Sequence, residues 1–171
     1  MLEQPFMPRG HGALDARLST GEVEAIRRAA MDILEELNDT TDPGLRRLFP
    51  PAYKDDPKRE EEFEVMTRDD LLMRKRNAAE AVVKSIDKGK TKKGMWSARL
   101  DDEAAQAWLA LMNDARLILG TRLDVTEDME PEPLPSEHPD AQQYNLYLYL
   151  GALESALVDA LMFGLPPGSN D

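Results

Sequence analysis

The chain has 171 residues, and 21 lysines and arginines against 33 aspartates and glutamates give it a formal net charge of −12. This length suits one compact domain, and 42% hydrophobic residues are enough for a core, which excludes a wholly disordered chain. The absence of cysteine excludes a disulfide, a thiolate nucleophile and a thiolate metal site, and two histidines leave little for transition-metal ligation.

The first 18 residues are predicted to form an N-terminal arm or a short β-hairpin. The glycines in Arg9-Gly10-His11-Gly12 are typical of a turn, and Leu14 and Leu18 alternate weakly with polar neighbours on its far side. A hairpin and a frayed terminus both remain open on this pattern.

The first helix is predicted to begin at Ser19. Ser19 stands three residues before Glu22, which is the spacing of a capping box. Apolar residues then recur at three- and four-residue steps until about Asn38, as on one face of a helix. These residues are Val23, Ile26, Ala30, Ile33, Leu34 and Leu37.

Proline after aspartate marks two further helix starts. Asp42-Pro43 predicts a short connector helix up to Leu48, and Asp56-Pro57 predicts the start of a charged, exposed helix. Thr67 offers a new cap, at which this second helix is predicted to break or bend. Gly89 is then predicted to end it in a left-handed cap.

Two apolar helices are predicted in the C-terminal half. Asp101-Asp102-Glu103 suit the acidic first turn of a core helix that carries Trp108. A loop with four prolines and seven acidic residues follows at about 124–140. The last helix is predicted from about Pro139 to Phe163, and its circumference is mostly apolar, which is typical of a helix central in a bundle or half-buried in a partner.

Together these elements predict an all-α fold, a bundle of four to five helices with the N-terminal hairpin as its one piece of β-structure. Residues 19–164 are expected to form a single helical domain that contains the acidic, proline-rich loop, and residues 165–171 a C-terminal tail. No run of eighteen apolar residues and no signal-peptide pattern is visible in the sequence. We therefore expect a cytoplasmic protein without membrane contact.

The charge is unevenly placed along the chain. Residues 68–99 hold ten basic and four acidic residues, whereas residues 123–171 hold ten acidic and no basic residues. The basic segment supplies a candidate interaction patch of Lys84, Lys88, Lys90, Lys92, Lys93, Trp96 and Arg99. Cations interleaved with an aromatic ring can track a phosphate backbone. The alternative is that the tryptophan packs into the bundle and starts the next helical element, while the lysines only complement the helix dipole.

No group of residues points to catalysis, a cofactor or a metal. Gly89-Lys90-Thr91 lacks the earlier glycine of a phosphate-binding loop, and Gly10-His11-Gly12 lacks the third glycine of a dinucleotide site. The acidic residues occur in runs that are typical of solvated faces rather than as pairs tuned for acid–base work. We therefore predict a non-enzymatic protein without a cofactor.

Two unusual strings carry a family resemblance. They are DPGLRRLFPPAY at 42–53 and LALMNDARLILGTRLDVTED at 109–128. With the tyrosine-rich last helix, they resemble the actinobacterial AosR-like family of oxidative-stress regulators, a domain of unknown function. The resemblance implies a mainly helical, non-enzymatic protein that acts in transcription by contacting a sigma factor or RNA polymerase. Redox sensing by a disulfide, proposed within the family, does not carry over because the chain has no cysteine.

The second string also supplies a candidate cluster of Asn113, Asp114, Arg116, Gly120, Thr121 and Arg122. These residues could line a ligand pocket. Alternatively, the arginines pair with Asp114 or the acidic loop, and Asn113 caps or bridges helices. Three functions thus remain open: a regulator that binds a protein, a direct DNA-binding regulator using residues 84–99, with a homodimer doubling the patch, and a small-ligand binder or unrecognised enzyme.

Overall fold

The computed structural model describes residues 4–38, 47–49 and 51–163. Its strands are β1 (Phe6–Gly10), β2 (Ala13–Ser19), β3 (Lys90–Lys92) and β4 (Met95–Leu100). Its helices are α1 (Thr20–Glu36), α2 (Pro57–Lys88), α3 (Asp102–Arg122) and α4 (Ala141–Phe163). The strands form one antiparallel sheet in the order β1-β2-β4-β3, and the helices pack on one of its faces.

The prediction of an all-α fold is wrong, because the fold mixes helices with a four-stranded sheet. The N-terminal hairpin is present, but β2 also pairs with β4, where Leu14 lies opposite Leu100 and Leu18 opposite Trp96. This pairing joins segments about eighty residues apart, so no local pattern shows it. The alternation of apolar and polar residues from Trp96 to Leu100 was the signal for a strand in place of a helix start.

Local capping sets the starts of α1, α2 and α3, as the sequence predicted. The Ser19 hydroxyl accepts from the Glu22 backbone N–H at 3.2 Å, and the Glu22 carboxylate accepts from the Ser19 N–H at 2.7 Å. The carboxylates of Asp56 and Asp101 each accept from the backbone N–H three residues on. These starts are confirmed because each needs only residues within one turn.

Two predictions about α2 are wrong. The helix continues through Thr67, whose hydroxyl donates to the Phe63 carbonyl at 2.7 Å and so is satisfied inside the helix. Gly89 is extended, with φ −68° and ψ 170°, rather than left-handed. A Cβ at Gly89 would lie 2.1 Å from Nε1 of Trp96, so glycine is needed here for close approach of the indole ring.

The core between the sheet and the helices centres on two tryptophans. The rings of Trp96 and Trp108 stack with centroids 5.7 Å apart, and Phe6 meets Trp108 edge-on at 6.2 Å. Nε1 of Trp108 donates to the Ser85 hydroxyl at 2.8 Å, and Nε1 of Trp96 donates to the Ile86 carbonyl at 3.0 Å. One aromatic cluster therefore joins β1 and β4 to α2 and α3.

The C-terminal part of the described chain consists of the acidic loop and α4. Residues 125–140 contain no helix or strand, as predicted, and α4 begins at Ala141, two residues after Pro139. Within the described ranges, α4 alone is long and apolar enough to cross a membrane, a test that core helices also pass. The predicted connector helix lies largely outside the described residues, at 42–46, and the tail at 165–171 does so completely.

Candidate interaction surface on the sheet

The sheet has one face toward the helices and one face toward solvent. Side chains alternate along a strand, so the buried residues of β2 and β4 place Asp15, Arg17, Ser97 and Arg99 on the outer face. Arg17 lies opposite Ser97, and Ser97 lies opposite Lys90 of β3. A row of polar and basic residues therefore crosses three strands.

A hollow of about 680 Å³ lies on this outer face. It is lined by Ala16, Ser97 and Ala98 of the paired strands β2 and β4 and by several longer side chains. Four of those side chains are cations, one from β2, one from the end of α2, one from β3 and one from β4. We call this set the basic sheet face: Arg17, Lys88, Lys90 and Arg99.

The cations of the basic sheet face are not engaged in salt bridges among the described residues. Asp15 borders the hollow but is bound by Arg9, whose pKa this hydrogen bond raises. Asp87, next to Lys88 in the chain, is held by Arg27 at 2.7 Å. An anionic partner would therefore meet four cations without a salt-bridge partner among the described residues, next to the Asp15 carboxylate that Arg9 binds.

Only some residues of the candidate interaction patch line the hollow. Lys88, Lys90 and Arg99 line the hollow, whereas Lys84 lies one turn earlier on α2. Lys92 ends β3, and Lys93 occupies the β3–β4 turn with φ 50°.

Trp96 belongs to the predicted patch but not to this surface. Arg17 belongs to this surface but not to the predicted patch. Trp96 is 2% exposed, so the interpretation that it packs into the core is confirmed. Sequence reasoning missed Arg17 because it needed the pairing of β2 with β4. The available signal was that Leu14, Ala16 and Leu18 alternate with polar residues, which places Arg17 on the outer face.

The candidate cluster on α3 is distributed toward three different helices. Asp114 pairs with Lys75 of α2 at 3.0 Å, Arg116 with Glu154 of α4 at 2.9 Å, and Arg122 with Glu36 of α1 at 2.8 Å. The arginines therefore pair with glutamates on neighbouring helices, whereas the sequence interpretation had them pairing with Asp114 or the acidic loop.

The remaining cluster residues are also placed separately. Asn113 is exposed, and the Thr121 hydroxyl donates to the Leu117 carbonyl of its own helix at 2.9 Å. A Cβ at Gly120 would lie 3.4 Å from the Tyr147 ring of α4, which is an ordinary van der Waals contact, so helix packing does not require glycine there. Arg116, Gly120 and Thr121 border one shallow groove, but Asn113, Asp114 and Arg122 do not line it.

Asp114 is the buried charged residue of the described core, at 5% exposure. Its burial raises the pKa of the carboxyl above the ordinary aspartate value, although Lys75 acts in the opposite direction. Because the folded-state pKa is the higher one, ionisation of Asp114 weakens the fold.

The Asp114 contribution to stability should therefore fall as the pH rises. Below the unfolded-state pKa it is fully present, and it is lost as the pH passes through the folded-state pKa. Urea unfolding of the wild type and of Asp114→Asn from acidic to neutral pH measures this, because the variant cannot ionise there. The wild type should lose stability relative to the variant as the pH increases, and the opposite slope would contradict the assignment.

A metal site is not formed among the described residues: no group of three or more histidines, aspartates or glutamates is placed to hold an ion there. What the fold does define is a small α/β domain with an open, positively charged sheet face. A family model described as a domain of unknown function, DUF2017, matches residues 3–161, and the chain belongs to this family.

Curated relatives carry the name oxidative stress regulator AosR. Those from Mycobacterium tuberculosis and Mycobacterium bovis are each 35% identical to this chain over 135 residues, covering 71% of this chain and 59% of the relative. The chain thus spans about 59% of the length of the curated relatives it matches. The family resemblance read from the two strings is confirmed. No solved structure shows a significant match.

Proposed function

We propose that this chain is a non-enzymatic regulatory protein of the oxidative-stress type, acting by contact with another protein. The names of its relatives support the regulatory role. The partner proposed from the family resemblance is a sigma factor or RNA polymerase in the cytoplasm. The mechanism excludes disulfide sensing, because the chain has no cysteine.

The observation that supports this contact is that the four cations of the basic sheet face form no salt bridge among the described residues. Its four cations line a hollow of about 680 Å³, which leaves room for carboxylates of a partner between their side chains. Complementary charges speed association and select the partner, and they fix the register of the complex. The geometry therefore suits an acidic protein surface.

A direct DNA-binding regulator is the second candidate, since the same basic face could contact phosphates. The net charge of −12 opposes it, because DNA would repel the rest of the molecule. The two candidates differ in their response to nuclease and salt. DNA binding through four cations would give a log–log salt slope of about −0.9 per phosphate neutralised.

Charge reversal of the basic sheet face should abolish capture of the partner. The variant Arg17→Glu, Lys90→Glu, Arg99→Glu replaces three cations that point away from the core. A tagged pull-down from the native cell's lysate, treated with nuclease and read by mass spectrometry at low and moderate salt, should recover sigma factor or polymerase subunits with the wild type. Recovery should fall at least about tenfold with the variant.

The matched control carries the same change of charge elsewhere. Arg28→Glu, Lys54→Glu and Lys58→Glu alter three exposed cations outside the basic sheet face, and this variant should retain the partner. Equal loss in both variants would contradict a role for the face. Recovery that disappears with nuclease would favour the DNA-binding candidate.

A further inference from the structure

Helix α4 is apolar on two opposite faces; the core covers one of them, and the other is exposed toward its C-terminal end. Leu150, Leu153 and Leu157 are buried in the core. On the other side, Val158 is 39% and Met162 64% exposed. The second face follows three- and four-residue steps, as an amphipathic contact stripe does. Its residues are Tyr144, which the protein buries, and Leu148, Gly151, Ser155, Val158 and Met162.

A groove runs along the start of this second face. It has a volume of about 390 Å³ and lies between α4 and the segment 125–131. Val125, Met129 and Pro131 form one wall, and the exposed side of α4 forms the other. We call it the α4 groove. Because it is shallow and open, it suits an elongated partner better than a small molecule, which needs a more enclosing site.

The loop that follows the groove wall is held in place by α4 itself. The Tyr144 hydroxyl donates to the Glu130 carbonyl at 3.2 Å. The Asn145 side chain accepts from the Leu134 N–H at 2.9 Å and donates to the Leu134 carbonyl at 3.3 Å. The groove is therefore preformed, which lowers the ordering cost of binding.

The loop beside the α4 groove is rich in acidic residues. The described residues from 123 to 163 include nine acids and no lysine or arginine. Four exposed acids of the loop form no salt bridge within the described ranges. They are Glu127, Asp128, Glu130 and Glu132. Arg116, the cation at the groove, is compensated by Glu154 and lies over the Tyr147 ring at 5.2 Å.

We infer that the α4 groove is a docking site for a basic amphipathic helix of a partner protein. The apolar face of such a helix would cover Met129, Leu148 and Val158, while its lysines and arginines would meet the acidic loop. A second copy of this chain is a poorer occupant, because it would bring a second acidic loop against the first. The site lies apart from the basic sheet face, so the chain can present surfaces of opposite charge to two partners.

A model peptide tests this inference directly. It has about five helical turns, with leucines at three- and four-residue spacing and lysines elsewhere. Fluorescence anisotropy of the labelled peptide at about 0.15 M salt should show saturable binding to the whole chain. Ala152→Arg adds a bulky cation at an exposed groove position and should weaken binding at least about tenfold.

Two controls separate groove binding from general attraction to an acidic protein. Gln106→Arg adds the same charge at an exposed position of α3 outside the groove and should leave the affinity unchanged. A peptide of the same composition in scrambled order should bind at least about tenfold more weakly. The inference is overturned by no binding of the patterned peptide, by equal binding of the scrambled one, or by equal weakening in both variants.

Sedimentation velocity tests the competing occupant. The wild type should be a monomer under the conditions of the peptide assay. A wild-type dimer that Ala152→Arg dissociates would assign the groove to a second copy and overturn the inference. Circular dichroism of both variants should match that of the wild type, because positions 106 and 152 are exposed.

Discussion

Replacing Trp108 with alanine should lower the free energy of unfolding by about 3–5 kcal/mol. The side chain is fully buried and contacts the rings of Trp96 and Phe6. Its removal leaves a cavity where β1 and β4 meet α2 and α3, and rigid neighbours on four elements cannot close it easily. Trp108 is therefore expected to be among the most sensitive positions of the fold.

Guanidinium unfolding followed by far-ultraviolet circular dichroism measures this loss. Ser85→Ala is the matched control, because it keeps the ring and removes the hydrogen bond that Nε1 of Trp108 donates, together with the one that the Ser85 hydroxyl donates to the Val82 carbonyl; it should cost about 1–3 kcal/mol. Trp108→Phe keeps a ring in the cluster and should fall between the two variants. If Trp108→Ala cost no more than Ser85→Ala, the stacked cluster would not be the centre of the core.

Lys75→Met should destabilise the protein by about 3–5 kcal/mol. The lysine of α2 is the salt-bridge partner of Asp114, which is 5% exposed on α3. Without Lys75, the carboxyl must either ionise in the core uncompensated or bind a proton. The loss of stability arises because the buried carboxyl has lost its partner, and it does not measure the strength of the ion pair. A second substitution that removes the carboxyl should therefore restore the stability.

The double variant Lys75→Met, Asp114→Leu should recover most of the lost stability, since it leaves no buried charge. Arg74→Met is the neighbouring control: its pair with Asp70 is exposed, with side-chain exposures of 74% and 65%, and should matter by less than about 1 kcal/mol. Urea unfolding of all variants at neutral pH gives the comparison. A double variant as unstable as Lys75→Met would show that lost packing, and not the unpaired carboxyl, causes the effect.

The residues of the basic sheet face that are close in the chain were visible in the sequence. The residue that long-range strand pairing adds was not. Lys88, Lys90 and Arg99 are close in the chain, so their basic run was visible directly. Arg17 joins them only because β2 pairs with β4. The roles of Arg116 and Arg122 were likewise hidden, because their partners Glu154 and Glu36 lie on helices that only packing brings near.

The sequence by itself determined the features that depend on neighbouring residues. Ser19 with Glu22, and Asp101 with the turn after it, start helices because a side chain caps a backbone N–H within three residues. The hairpin turn at Gly10 and Gly12 follows from their positive φ angles, which glycine adopts at little cost.

Only the tertiary structure determined which segments form the sheet and which charged residues pair with one another. β3 consists of Lys90-Thr91-Lys92 and has no apolar alternation, so it becomes a strand only beside β4. Gly89 is extended because the Trp96 indole packs against it, although its position suited a helix cap. In both places burial of Trp96 against distant elements outweighs the local backbone preference, which is worth about 1 kcal/mol or less per residue.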